Sequence, residues 1–152
     1  MTLTAYRLSL RRYADRAFAG DGARRVGGRW NPPGLPAVYT SATLSLAAME
    51  LLVHLSGPQD APDLVFFRIE FEAKLLVEPR LPKQWRKLSL QGSRALGREW
   101  LVGTASPVLQ VPSFVVPTES NFVVNPLHPD FRRIKIGKAE QFALDARLFP
   151  QR

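Results

Sequence analysis

The spacing of apolar residues predicts a helix from Ser41 to Leu55. Along one face, apolar side chains recur every three to four residues, which places them in a single stripe. The stripe consists of Leu44, Ala47, Ala48, Leu51, Leu52 and Leu55. The other apolar positions are Leu46, Met49 and Val53. A helix that is apolar all round is usually buried, so we predict a buried helix with a hydroxyl of Ser41 or Thr43 at its N-cap.

Short apolar runs between prolines and glycines predict β-strands in the rest of the chain. The predicted strands cover residues 3–8, 37–40, 64–72, 108–111, 114–116, 122–124 and 132–136. Residues 74–78 extend the long strand after a bend, 93–102 form a short helix, and 142–149 form a last strand or short helix. Residues 9–36 predict one long loop, and a loop of that length is usually a binding loop or lid.

The ionisable residues of the predicted helix, Glu50 and His54, stand out against its apolar surface. A carboxylate on a buried helix is costly to desolvate unless it has polar partners or its pKa rises. Two kinds of interpretation follow for Glu50. The structural kind is a buried ion pair with one of the many arginines or a helix edge that reaches water, and the functional kind is a catalytic carboxylate. The pair Glu50 and His54 lacks a nearby third ligand, so no metal site is predicted.

Arg29 lies in the long loop between two turn-forming segments, Gly27-Gly28 before it and Pro32-Pro33-Gly34 after it. A guanidinium held in such a loop suits a phosphate or carboxylate, because it donates two parallel hydrogen bonds. The alternative is a salt bridge that pins the loop. Tyr39, in the short strand before the helix, is either a core aromatic or a ring face for stacking.

Composition narrows the class of protein. The chain has 152 residues, 45% of them hydrophobic, no cysteine and a net charge of +8. These values fit one globular domain over residues 1–152 without disulfides or thiol chemistry. We expect neither a signal peptide nor a membrane span, which makes a cytoplasmic protein the simplest expectation. The arginines are scattered and match no nucleic-acid-binding motif, so direct nucleic-acid binding is not expected from this chain.

Several motifs together resemble the RES-domain family, the toxins of bacterial toxin–antitoxin pairs whose antitoxin is of the Xre type. The motifs are Tyr6-Arg7, Gly22-Ala23-Arg24, Gly27-Gly28-Arg29-Trp30-Asn31, Val38-Tyr39-Thr40-Ser41, Met49-Glu50, Val53-His54, Glu119-Ser120-Asn121 and Asn125-Pro126-Leu127-His128-Pro129. The resemblance covers nearly the whole chain. The family takes its name from an arginine, a glutamate and a serine, which the resemblance places at Arg29, Glu50 and Ser120.

The resemblance implies an α+β fold similar to the catalytic core of ADP-ribosylating toxins, with two packed, mostly antiparallel sheets and peripheral helices. It implies NAD as substrate, with no further cofactor, and cleavage of the bond between nicotinamide and ribose by hydrolysis or phosphorolysis. A cognate antitoxin that blocks the active site is the implied partner, so a hetero-oligomer is expected. The alternatives are a mono-ADP-ribosyltransferase acting on a protein and, in another class, a basic nucleic-acid-binding module without catalysis.

The resemblance also implies roles for particular residues. Glu50 would stabilise the positive charge that develops on the ribose, Arg29 would hold the pyrophosphate or ribose side, and Tyr39 would stack on nicotinamide. Ser120, with Asn121 beside it, would hydrogen-bond the ligand or Glu50. The remaining expected pocket residues are Asn31, Tyr6 and Arg7.

Overall fold

The computed structural model describes residues 1–55 and 63–149, and the strands of this part form one continuous sheet. The strands are β1 (Thr2–Leu10), β2 (Val38–Ser41), β3 (Leu64–Glu72), β4 (Leu76–Val77), β5 (Val108–Pro112), β6 (Ser120–Val124), β7 (Lys135–Ile136) and β8 (Glu140–Phe142). Their order is β4-β5-β6-β2-β1-β3-β7, and β8 also pairs with β3. The pair β4–β5 is parallel and the other described pairs are antiparallel.

The longest pairing joins β1 to β3, with residues 2–10 of the first strand opposite residues 72–64 of the second. The β3 segment LVFFRIEFE places Phe67, Ile69 and Phe71 on its buried face, because side chains alternate along a strand. Ala5 of β1 is fully buried and belongs to the same core cluster as Ile69 and Phe71. The antiparallel pair of β1 and β3 therefore forms one wall of the main core.

The sheet is strongly curled. Phe71 of β3 and Phe122 of β6 pack edge to face with ring centroids 5.6 Å apart, although two strands lie between them. Strands lie roughly 4.8 Å apart in a sheet, so a flat sheet would separate these two rings much further. The expected two packed layers thus arise from two halves of one hydrogen-bonded sheet rather than from two separate sheets. The predicted α+β class is confirmed.

Three α-helices lie in the described residues: α1 (Asp21–Val26), α2 (Leu44–Leu52) and α3 (Leu90–Gly103). The prediction of one long loop over residues 9–36 is wrong, because a 3-10 helix (Arg11–Arg16) and α1 lie within it. The glycines flanking α1, Gly20 and Gly27, both have positive φ, which explains how the chain turns sharply into and out of this helix. The third helix begins three residues before the predicted start.

The predicted helix around Glu50 is present as α2 but is not buried all round. Thr43, not Ser41, caps it by accepting a hydrogen bond from the Leu46 amide at 3.0 Å. Leu46 and Ala47 are its buried residues, whereas Met49 is 42% exposed. Of the three apolar residues outside the predicted stripe, Leu46 is therefore a core residue, whereas Met49 and Val53 are exposed.

Further local predictions differ from the structure. Residues 114–116 form no strand, and residues 129–133 form a 3-10 helix before β7. The predicted last strand or short helix over 142–149 is present as the end of β8 and a 3-10 helix over residues 146–148. Residues 73–75 form a 3-10 turn that redirects the chain into β4, which pairs with β5 instead of extending β3. No helix of the described ranges is both long and apolar enough to cross a membrane.

Helix α3 holds the loop that carries Arg29. The Ser93 hydroxyl donates to the Arg29 carbonyl at 2.5 Å, and Arg94 Nε donates to the Gly28 carbonyl at 2.8 Å. Gly97 on the same helix lies against Trp30, where a Cβ would come 1.5 Å from the backbone oxygen. Glycine at this position therefore permits the helix and the loop to touch backbone to backbone.

Replacing Gly97 by alanine should destabilise the fold by about 2 kcal/mol or more. The added Cβ would clash with the Trp30 backbone, and relieving the clash requires α3 or the loop to move. Urea denaturation measures this change. The matched control is Gly103→Ala at the end of α3, where an added Cβ meets nothing within 4 Å. We expect Gly103→Ala to be neutral or slightly stabilising, since alanine favours helices. Equal stability of the two variants would contradict the packing described here.

Candidate active site

A cleft of about 350 Å³ lies between α2 and the sheet, beside the loop that carries Arg29. Its lining includes residues of β1, β2, α2 and β6. Six of the residues predicted from the sequence share it, namely Tyr6, Arg7, Arg29, Tyr39, Glu50 and Asn121. These residues are distant in sequence, and the curled sheet brings them together.

Glu50 projects from α2 and is held by hydrogen bonds rather than by an arginine. Its Oε1 accepts from the Ser113 hydroxyl at 2.6 Å and from Asn121 Nδ2 at 2.8 Å. None of the ion pairs in the described part of the chain includes Glu50. The described residues therefore hold no ion pair of Glu50. Its side chain is half-buried, as expected for a helix edge that reaches water, and its catalytic role stays a prediction.

The orientation of the Asn121 amide follows from its two partners. The Ser41 hydroxyl donates to Asn121 Oδ1 at 2.8 Å, and the amide nitrogen then faces the carboxylate. This orientation of the amide, with Oδ1 toward Ser41 and Nδ2 toward Glu50, is the one that the carboxylate requires, because an ionised carboxylate only accepts hydrogen bonds. Ser41 and Asn121 are also directly opposite each other in the β2–β6 pair. The register of the sheet thus sets the position of the side chain that holds Glu50.

Ser113 was missed by the sequence analysis and is the serine that contacts Glu50. Its side chain is completely buried, and its oxygen also accepts from the backbone amides of Val115 and Val116. Ser120, to which the resemblance assigned this role, does not line the cleft, and its hydroxyl accepts from Gln110 at 3.1 Å. The signal available in the sequence was a small polar residue after a proline inside an apolar run.

Tyr39 is fixed by its hydroxyl. The hydroxyl donates to Asn31 Oδ1 at 2.7 Å and accepts from the Trp30 amide at 2.9 Å, and burial raises the pKa of Tyr39 above its ordinary value. Gly28 packs on the ring, since a Cβ there would lie 2.5 Å from the Tyr39 oxygen. Tyr39 therefore stays protonated. Since its hydroxyl already has two hydrogen-bond partners, the part of Tyr39 that can contact a ligand in the cleft is its ring.

Asn31 is fully buried and does not line the cleft. Its amide nitrogen donates to the carbonyls of Ala23, Pro32 and Leu35 at 2.9, 3.2 and 2.9 Å. The residue therefore ties the loop together and positions Tyr39, which corrects its predicted place among the residues facing the substrate.

Arg7 places a half-buried positive charge in the cleft. Its Nε donates to the Ala17 carbonyl at 2.5 Å and its Nη1 to the Tyr39 carbonyl at 3.0 Å. Burial lowers the pKa of the Arg7 guanidinium to about 10, so the group remains charged near neutral pH. Among the described residues it has no carboxylate partner. A half-buried cation of this kind is suited to binding an anionic ligand.

Arg29 is exposed, and its guanidinium carbon lies 4.3 Å from the centroid of the Phe114 ring. This cation–π contact fixes the side chain without neutralising its charge. Phe114 in turn packs against Trp30 and Trp85, with centroids 6.2 and 5.2 Å away. The alternative interpretation of Arg29, a salt bridge that pins the loop, is wrong for the described residues.

The two histidines differ in their surroundings. His54 is exposed and lines the cleft, one turn after Glu50. His128 lies elsewhere: its Nδ1 accepts from the Asp130 amide at 2.9 Å, and its Nε2 lies 2.8 Å from the Thr104 carbonyl. Both ring nitrogens of His128 are thus used to hold loops together.

Comparison with known proteins identifies the family of this chain. The chain matches the RES domain over residues 4–145. It is 37% identical over 148 residues to the protein named Toxin Res of Yersinia enterocolitica serotype O:8 / biotype 1B, covering 94% of this chain and 97% of that protein. It is 31% identical over 157 residues to the Prs ADP-ribosylating toxin of Sphingobium sp. strain YBL2, with 97% and 98% covered.

A solved structure shares the fold. A chain of the M. tuberculosis MbcT–MbcA toxin–antitoxin complex superposes with a TM-score of 0.74 over 94% of this chain and 85% of that chain, at 19% sequence identity. The family predicted from the sequence motifs is confirmed by the domain match and by the curated relatives. The chain is a member of the RES-domain family of toxins.

Proposed function

We propose that this toxin consumes intracellular NAD by breaking the bond between nicotinamide and its ribose. The observation that carries the proposal is the carboxylate of Glu50, held at Oε1 by Ser113 and Asn121 in a cleft that also contains arginines. Within the described residues, its second oxygen accepts no hydrogen bond. A fixed anion with one unused oxygen is suited to a substrate that becomes more cationic at its sugar.

The chemistry requires little of the protein beyond electrostatics and position. As the C1″–N1 bond breaks, its electron pair goes to the nicotinamide nitrogen, and nicotinamide leaves as a neutral molecule. The ribose then carries the positive charge, which Glu50 stabilises. A nucleophile adds to C1″ and loses its proton, which gives ADP-ribose if it is water or ADP-ribose 1″-phosphate if it is phosphate.

The other cleft residues bind the parts of NAD that Glu50 does not contact. Arg7 and Arg29 bind the negatively charged pyrophosphate, since both guanidinium groups lack a carboxylate partner in the described residues. Tyr39 offers its ring to nicotinamide, because its hydroxyl is already occupied by Asn31 and Trp30. Tyr6 shapes the wall of the cleft beside Arg7.

The proposed partner is a cognate Xre-type antitoxin that occupies the cleft and forms a hetero-oligomer with the toxin. The structural neighbour is a toxin–antitoxin complex, which supports an antitoxin as partner. The net charge of +8 favours an acidic inhibitory segment. Since NAD is the proposed substrate, the cytoplasm is the proposed site of action.

A second function has support of its own. The Sphingobium relative is named Prs ADP-ribosylating toxin, which supports a protein side chain as an alternative acceptor for the same ribosyl cation. The two functions share the cleft and the first bond cleavage and differ in the nucleophile.

Replacing Glu50 by glutamine should lower kcat for NAD loss by about 100-fold or more, because the neutral amide keeps the shape but removes the charge. The assay is NAD consumption by purified toxin freed of antitoxin. Glu99→Gln, an exposed carboxylate on α3 outside the cleft, is the matched control and should keep full activity. A wild-type protein that stays folded and leaves NAD intact under every condition would refute the proposal. In that case, nucleic-acid binding that is unchanged in Glu50→Gln would favour the basic nucleic-acid-binding module.

Replacing Ser113 by alanine should lower kcat by about tenfold, since a hydrogen bond to a charged group is lost. Ser120→Ala, seven residues further on, should change kcat by less than about twofold, because its hydroxyl contacts Gln110 rather than the carboxylate. Thermal melting of both variants shows whether each is folded. The reverse order of effects would mean that Ser120, as the resemblance first implied, is the functional serine.

The acceptor is identified by its product. We expect ADP-ribose in phosphate-free buffer or ADP-ribose 1″-phosphate that increases with added phosphate, both resolved by mass spectrometry. Incubation with labelled NAD and cell extract tests the alternative. Label that appears on a protein, while free ADP-ribose and its phosphate stay at background, would assign the chain to the protein-modifying class.

A further inference from the structure

The turn between β5 and β6, residues 113–119, contacts two oppositely charged side chains of the cleft. The Ser113 hydroxyl donates to Glu50 at 2.6 Å. The next residue, Phe114, places the centroid of its ring 4.3 Å from the guanidinium carbon of Arg29. Two neighbouring residues of one turn therefore hold a carboxylate and a guanidinium that both line the cleft.

Hydrogen bonds close this turn at its base and within it. The Ser113 amide donates to the Glu119 carbonyl, and the Glu119 amide donates to the Val116 carbonyl, both at 2.9 Å. The Ser113 hydroxyl also accepts from the amides of Val115 and Val116 at 3.1 and 2.9 Å. A short segment tied at these points has little conformational freedom, so Ser113 and Phe114 keep fixed positions relative to each other.

The Phe114 ring is held from two sides by tryptophans of other segments. Trp30, only 2% exposed, lies 6.2 Å away between ring centroids. Trp85, the first residue of the 3-10 helix Trp85–Lys87, packs edge to face at 5.2 Å. Phe114 itself is half-buried and does not line the cleft. Its effect on a ligand in the cleft is therefore exerted through Arg29.

Arg29 is a long, exposed side chain that benefits from such a contact. Its backbone is fixed, because its carbonyl accepts from the Ser93 hydroxyl of α3 at 2.5 Å. A free arginine side chain loses rotamer entropy when a ligand immobilises it, and this loss weakens binding. Stacking of the guanidinium over the Phe114 ring orders the side chain beforehand and leaves its N–H edge available to an anion.

We propose that Phe114 is a positioning residue, which orders Arg29 for the substrate through the cation–π contact. The inference rests on the proposed function and gives a role in it to a residue outside the cleft. Through Ser113 and Phe114, the same turn sets the separation between the carboxylate that stabilises the ribose and the guanidinium that binds the pyrophosphate.

Fluorinated phenylalanines at position 114 test the contact, because fluorine withdraws electron density from the ring face and changes the shape of the ring little. Along the series from phenylalanine through its monofluoro and difluoro forms to its trifluoro form, we expect KM for NAD to rise stepwise, by about fivefold in total. We expect kcat to stay within about twofold, since the pyrophosphate does not change in the reaction. An unchanged KM, or a fall in kcat without a rise in KM, would overturn the proposal.

The matched background for this series is Arg29→Ala. Fluorine also alters the contacts of Phe114 with Trp30 and Trp85, but that effect does not require the guanidinium. In Arg29→Ala, the same series should therefore change KM by less than about twofold. An equal rise of KM in both backgrounds would assign the effect to the tryptophan contacts and overturn the proposal.

Nuclear magnetic resonance detects the contact without NAD. The Nε–Hε signal of Arg29, identified by its loss in Arg29→Ala, should be shifted upfield by the Phe114 ring relative to the signal of Arg98, an exposed arginine of α3. In Phe114→Leu the Arg29 signal should move to the position of the Arg98 signal. A missing shift in wild type would refute the positioning of Arg29 alone, whereas a wild-type protein that shows the shift and leaves NAD intact would refute the NAD-consuming function.

Discussion

Two hydrogen bonds to a single oxygen of Glu50 join three separate parts of this fold. Asn121 belongs to β6, Ser113 follows β5, and Glu50 lies on α2. The carboxylate is half-buried beside arginines, yet it is oriented by neutral donors, which fix its direction and leave its charge intact. An ion pair would have neutralised the charge that the proposed reaction needs. The orientation of Glu50 in the candidate site therefore depends on a hydrogen-bond network rather than on an arginine.

The backbone arrangement makes this network possible. The β2–β6 register places Ser41 opposite Asn121, and α2 begins three residues after β2 ends. On the other side of the cleft, the loop that carries Arg29 is in close contact with Tyr39 at Gly28 and with α3 at Gly97. These two contacts fix the backbone position of Arg29. Each of these contacts supports a neighbour that faces the cleft. Their combined effect is preorganisation, in which the cleft needs little rearrangement on binding.

Local sequence patterns predicted much of this structure, and the failures have physical reasons. Helix α2 and the strands β1, β2 and β3 follow from the periodicity of apolar residues. Residues 114–116 are apolar like a strand, but the Ser113 hydroxyl accepts the amide hydrogens of Val115 and Val116 and produces a tight turn. Whether Ser113 or Ser120 reaches Glu50 depends on contacts across 63 or more residues, which no local pattern encodes.

The central claim is that Glu50 faces the nicotinamide ribose of NAD within this cleft. The most direct measurement is a crystal structure of the Glu50→Gln variant with NAD bound, in which the dinucleotide survives uncleaved. The expected result places the nicotinamide ribose within hydrogen-bonding distance of the side chain at position 50, nicotinamide against the Tyr39 ring, and the pyrophosphate beside Arg7. A dinucleotide bound outside the cleft, or with its adenosine end at position 50, would contradict the claim.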